Sequence, residues 1–182
     1  MTAARAARFA YADPPYPGMA NLYPERTEVD HAELIERLER DYDGWALSTH
    51  VPGLRVVVPL LPARARICAW VKPWAAFHGA GRLQYTWEPV IIAPVRTPAR
   101  SVRDWHSANA TMRRGLPGAK PTDLCYWIFA AAGLQPDDEL DDLYPGTGAV
   151  GRAFDQWRRQ LPLTLGEPTA ARRRRIISAE LA

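Results

Sequence analysis

The sequence is poor in cysteine and has no long hydrophobic run. Its two cysteines, Cys68 and Cys125, sit inside the apolar runs "RICAWV" and "LCYWIF". Cysteines so placed read as buried thiols, which excludes a disulfide scaffold or a ligand pair. The apolar stretches fall far short of the ~20 residues a bilayer span requires, so no transmembrane helix is expected. The opening "MTAARAARF" has two arginines and no apolar signal core, so no secretory peptide is read there. His31, His50, His78 and His106 do not stand at metal-ligand spacings, and no metal is expected. No internal repeat is evident. These absences point to a metal-free, cytoplasmic protein.

The residues that are present describe a globular chain. At 182 residues, 47% of them hydrophobic and 24% charged, it suits one domain over 1–182 with a sizeable core. A net charge of +3 and a pI near 9.1 are mildly basic. That balance agrees with a polyanionic partner and equally with ordinary surface charge.

Periodicity predicts strands and helices in alternation. Phe9–Ala12 is a short buried strand ended by proline, and "VDHAELIERLERDY" is a helix with Leu34, Ile35 and Leu38 as its stripe and Asp30 as its cap. "GWALST", "ARICAWVKP" and "YTWEPVIIAP" read as strands, whereas "GLRVVVPLL" is ambiguous. "TDLCYWIFAAAG" is an apolar helix closed by Gly133, followed by a strand, a glycine-rich turn and a last helix. This order implies an α/β protein: a largely parallel sheet flanked by helices. Trp45 and Trp70 read as core, while Lys72 and Glu88, near strand ends, border a possible cleft. The final "AARRRRIISAELA" is a last strand or a basic tail.

Between about 95 and 119 the periodicity stops. That stretch gathers Arg96, Arg100, Arg103, Arg113 and Arg114 with Trp105 and His106. A long aperiodic segment in a compact domain is usually functional or disordered. Its arginines suit phosphate contacts, the alternative being a solvated loop.

Two stretches carry chemistry. In "FAYADPPYPG", Asp13, Pro14, Pro15 and Tyr16 form a stiff turn, because proline fixes its own φ and restricts its neighbour. The turn offers a carboxylate, carbonyl acceptors and an aromatic ring, a set that suits an NH2 group on a flat ring. In "DDLYPGTGAVG", a strand runs into Gly146-Thr147-Gly148 and then a helix, which brings backbone N–H groups close to a ligand. Cofactor-binding folds use such turns, and structural glycines also produce them.

Together these stretches resemble a known family. Asp13-Pro14-Pro15-Tyr16 matches the catalytic Asp-Pro-Pro-Tyr motif of amino-methyltransferases acting on nucleic-acid bases. Asp142-Leu143-Tyr144-Pro145-Gly146-Thr147-Gly148 is similar to that family's S-adenosylmethionine loop. Lys120-Pro121 resembles the Lys-Pro that commonly precedes it. The motif order is that of the circularly permuted β-class DNA methyltransferases, and the resemblance spans Phe9 to about Trp157.

The resemblance implies a Rossmann-like methyltransferase fold, S-adenosyl-L-methionine as cofactor, and methyl transfer to an exocyclic base amine. N6 of adenine in DNA is the first reading, with N4 of cytosine or an RNA amine as alternatives, and the protein as a monomer or homodimer. Asp13, Pro14, Pro15 and Tyr16 would be catalytic, and about 95–119 would be a short target-recognition segment. Lys120, Pro121, Asp142, Tyr144, Gly146, Thr147 and Gly148 would hold the cofactor, Lys120 meeting its carboxylate and Asp142 its amine. Leu143 stands where the family usually has proline, and Tyr144 where it has phenylalanine. The acid for the cofactor ribose would be Glu167, Glu180 or neither. Tyr23 falls on a possible flap after the catalytic turn. Two other readings remain: a non-catalytic nucleic-acid-binding subunit that keeps the fold, and a nicotinamide-dependent oxidoreductase, which leaves the proline-tyrosine turn unexplained.

Overall fold

Alternation along strand β1 (Arg8–Ala12) sets the architecture. Phe9 and Tyr11 join one hydrophobic cluster, Ala10 and Ala12 the other, and all four are buried. A strand buried on both faces needs helices on both sides. The computed structural model of the chain, which describes residues 5–22, 26–73, 84–110 and 119–164 with side chains as far as 159, has them there.

Helix α1 (His31–Asp41) and the short α2 (Leu54–Val57) cover one face. Leu34, Ile35, Leu38 and Val57 pack there with Ala10, Trp45, Leu47 and Ile91. Asp30 caps α1, its carboxylate accepting from the N–H groups of Ala32 and Glu33. Helices α3 (Thr122–Ala132) and α4 (Ala149–Thr164) cover the other face, where Leu124, Ile128, Phe129, Phe154 and Trp157 pack with Phe9, Tyr11 and Trp70.

The remaining strands are β2 (Gly44–Ser48), β3 (Arg66–Val71), β4 (Trp87–Ala93), β5 (Trp105–Ser107) and β6 (Glu139–Asp142). The six form one sheet in the order β5-β3-β4-β2-β1-β6. β1 runs parallel to β2 and β6, β3 runs parallel to β5, and only β4 is antiparallel to its neighbours. The carboxyl ends of five strands and the start of β4 therefore gather along one edge.

The ambiguous "GLRVVVPLL" is α2 followed by a 3-10 turn at Val58–Leu60. Pro89 tolerates its place in β4 because β2 stops one residue earlier, at Ser48 opposite Val90. The aperiodic segment contains β5, whose three residues are too few to show a period. Trp45 and Trp70 are core residues, and each indole N–H has an acceptor: Glu39 for Trp45 and the Ala108 carbonyl for Trp70. Burial pushes the thiols of Cys68 and Cys125 up to about 11 and about 12, so both stay protonated at neutral pH. Among the described residues no helix is long and apolar enough to cross a membrane. Tyr23, Arg113, Arg114, Glu167, Glu180 and the arginine-rich tail lie outside the described residues.

Candidate active site

β1 and β6 are adjacent parallel strands, with Tyr11 opposite Asp142 in register. The Leu143 N–H continues the pairing by donating to the Tyr11 carbonyl at 2.9 Å. The turns after the two strands therefore leave the sheet side by side. Tyr11, Asp13, Asp142, Gly146 and Thr147 line one cavity of about 40 Å³, room for a single small polar group. Lys120 lines it too, arriving from the residue before Pro121, the N-cap position of α3.

Lys120 is 8% exposed, and its ammonium donates to Asp13 Oδ1 at 2.9 Å and lies 2.9 Å from Oδ2 as an ion pair. A buried lysine held this way keeps Asp13 oriented in the cavity. Asp142 completes the group. Burial pushes its carboxyl up to about 6, the Asp13 charge adding to the rise while a hydrogen bond from the Tyr144 N–H and the Lys120 charge oppose it. Its Oδ1 is buried with no hydrogen-bond partner among the described residues. A buried acceptor left open in a cavity is chemically prepared for a donor that is not part of the chain.

The glycine turn is shaped for close approach. Gly146 and Gly148 have φ of 46° and 68°. A Cβ at Gly146 would meet nothing nearer than the Tyr144 carbonyl at 3.9 Å, and one at Gly148 only the movable Arg152 guanidinium at 3.0 Å. Backbone conformation, not crowding, explains these glycines, and the space in front of the turn stays open. α4 starts at once, so its unpaired N–H groups and dipole face the same side.

Tyr16 stands on the other side of Asp13. Its hydroxyl lies 3.2 Å from Glu88 Oε2 and 3.5 Å from Asp13 Oδ1. Its ring stacks on His50, 5.3 Å between centroids and 7° between planes. Burial, then the charges of Asp13 and Glu88, push the phenol well above its ordinary value, so it stays protonated. Glu88 Oε1 is ion-paired with Lys72. His50, which the sequence reading left out of the site, sits just past the end of β2, and burial lowers its pKa. Only its place after a buried strand marked it in advance.

The arginines fall elsewhere. Because β4 is antiparallel, the chain leaves it at the opposite edge of the sheet, and Arg96, Arg100 and Arg103 all precede β5 there. Arg96 donates to both oxygens of Asp138 and to the Gly133 carbonyl, a structural assignment. Arg103 lies over the exposed Trp105 ring. Grooves of about 260 and 710 Å³ at that edge are lined by apolar residues with Arg66, Arg96, Arg100, Arg103 and Asp104. They are larger than the Asp13 cavity but lack its converging carboxylates and glycine turn. The structure thus brings together Asp13, Tyr16, Lys120, Asp142 and the glycine loop, and keeps Arg96, Arg100 and Arg103 apart from them.

No protein-family model matches the chain, and no curated protein sequence does. Among solved structures, the crystal structure of the M1.HpyAVI-SAM complex superposes with a TM-score of 0.55 at 14% identity, over 84% of this chain and 79% of that one. A second crystal structure of M1.HpyAVI gives 0.54 at 14% identity, over 84% and 78%. The chain shares the fold of these structures, a six-stranded α/β sheet flanked by helices. In a sheet of this type ligands bind at the carboxyl ends of the strands, the edge where Asp13 and the glycine turn meet.

Proposed function

We propose that the protein transfers a methyl group from S-adenosylmethionine to an exocyclic amine of a nucleic-acid base, N6 of adenine in DNA first. N4 of cytosine and RNA amines are the alternatives. One observation carries this reading: Asp13 and the Gly146–Gly148 turn, on neighbouring strands, line a single cavity with Lys120 and Asp142.

The residues present fit the cofactor. The unpartnered Asp142 oxygen suits an ammonium, Lys120 suits a carboxylate, and the glycine turn admits a bulky group without a Cβ in its way. When bound, the cofactor supplies an electrophilic sulfonium methyl. The solved M1.HpyAVI complex with SAM supports the same assignment.

The chain's own residues then prepare the amine. An aromatic amine is a weak nucleophile because its lone pair is delocalised into the ring. Asp13, accepting an N–H from that amine together with the Pro14 carbonyl, draws nitrogen toward tetrahedral geometry and localises the pair. Positive charge grows on nitrogen as its new bond forms, so fixed acceptors strengthen in the transition state. The donor sulfur would leave as a neutral thioether, and the methylated amine then sheds one N–H proton to solvent. Tyr16 offers a ring on which a base stacks opposite His50, worth about 1–3 kcal/mol. A duplex base reaches this site only by leaving the helix stack.

The test is direct. Incubation with methyl-labelled S-adenosylmethionine and DNA or RNA, then hydrolysis to nucleosides, should yield a labelled N6-methyladenine nucleoside. Label on N4 of cytosine would move the reading to the alternative base. Absence of label from every base, together with no cofactor binding by calorimetry, would refute it and favour a binding subunit.

A further inference from the structure

Tyr16 has one hydroxyl proton and faces two carboxylates. Glu88 Oε2 is the nearer at 3.2 Å, and Asp13 Oδ1 stands at 3.5 Å, the outer limit of a hydrogen bond. Glu88 is itself fixed: Lys72 holds Oε1, and the Lys72 ammonium lies 4.7 Å over the Trp70 ring. Trp70 is core, so a line of contacts runs from the sheet interior to the Tyr16 hydroxyl. His50 sets the plane of the Tyr16 ring by stacking, and Glu88 sets its direction within that plane.

A count of acceptors on Asp13 shows why this matters. A carboxylate has about four lone-pair sites. Lys120 takes one on Oδ1 and faces Oδ2 as an ion pair. A substrate amine bonding to Oδ1 needs the one site left there, and the Tyr16 hydroxyl is the neighbour able to take it. If the Tyr16 proton turned to Asp13, Oδ1 would become a saturated and weaker acceptor.

We propose that Glu88, anchored by Lys72, is a positioning residue: by accepting the Tyr16 hydroxyl proton it keeps Asp13 Oδ1 open for the substrate amine. The inference rests on the function proposed above, in which Asp13 accepts from that amine. Its signature is a rescue. Glu88→Ala leaves Asp13 as the acceptor facing the Tyr16 hydroxyl among the described residues, and kcat should fall by about a hundredfold, the scale of a lost alignment. Adding Tyr16→Phe removes the competing proton while retaining the ring, and the double variant should recover about tenfold over Glu88→Ala alone. Glu88→Gln, whose carbonyl still accepts from the hydroxyl, should stay well above Glu88→Ala.

A second readout needs no turnover. In protein with 13C-labelled aspartate carboxyl groups, the Asp13 resonance should move in Glu88→Ala and return in Tyr16→Phe/Glu88→Ala. Equal impairment of the single and double variants, with no return of the resonance, would show that Glu88 acts only by supporting the fold and would overturn the proposal. Undiminished activity of Glu88→Ala would overturn it too. Should wild-type protein methylate no nucleic acid, the proposed function fails while the Asp13 resonance still reports where the Tyr16 proton goes.

Discussion

Two cation–carboxylate pairs sit at opposite edges of the sheet. At one edge, Asp138 accepts from both terminal nitrogens of Arg96 and from the N–H groups of Ala7 and Gln135. Burial works against the ionised form, but these hydrogen bonds hold the Asp138 carboxyl below the usual range. At the other edge, Asp13 has Lys120 and a long contact with Tyr16, and beside it Asp142 keeps an unpartnered oxygen. The first pair is saturated from within the chain. The second retains acceptor capacity in a cavity, so the two differ as a joint differs from a candidate binding site.

The sharpest separation of the two comes from deleting each acid. Asp13→Ala should lower methyl transfer about a thousandfold or more, about 4 kcal/mol of barrier, as read in single-turnover assays. Asp138→Ala should act on stability instead, removing about 3 kcal/mol in urea unfolding because Arg96 loses its buried partner. Its activity per folded molecule should persist. Similar losses of both stability and activity in the two variants would erase the distinction.

The glycines at the two edges extend the comparison. Gly133 has φ of 71°, and a Cβ there would lie 2.3 Å from the Arg96 carbonyl oxygen. Gly133→Ala should cost about 2 kcal/mol or more, since both strain and a backbone clash oppose it. Gly148→Ala, which meets only the end of Arg152, should cost about 1 kcal/mol of stability. It should weaken S-adenosylhomocysteine binding far more than its stability loss suggests, measured by calorimetry.

The smallest effect concerns pH. The Asp142 carboxyl is raised to about 6 in the folded protein, above its unfolded value. Between the two values the folded state binds more protons, so this group lowers stability as pH rises toward 6. The penalty is complete above that pH and absent below the unfolded value. Asp142→Asn should therefore be more stable than wild type at pH 7 to 8, by about 1 kcal/mol once solvent screening is allowed for, with the gap closing near pH 4. Affinity for a cationic cofactor amine should change the opposite way, falling in wild type as pH drops through about 6. Thermal melts and calorimetry across this range would check both.

Much of the candidate site was legible in the chain, because a proline-stiffened turn with one acid and a strand–glycine–helix turn are local patterns. Asp13 through Tyr16, Lys120, Asp142 and the glycines could all be read without coordinates. His50 could not, since its role comes from stacking on Tyr16 across a strand boundary. Glu88 and Lys72 read only as residues near strand ends, and their pairing follows from β3 and β4 being neighbours. For Arg96, Arg100 and Arg103, composition does not reveal which edge of the sheet a basic stretch occupies, and the reversal of β4 decides that.

Local chemistry therefore determined most of the elements, their caps and the two candidate turns, since φ limits, hydrophobic period and hydrogen-bonding groups belong to short stretches of chain. Tertiary structure alone decided that β1 and β6 lie side by side, that Lys120 reaches Asp13, and that Arg96 serves Asp138. Those facts depend on strand order and direction, which arise from burying both faces of one sheet at once and leave no mark on any single segment.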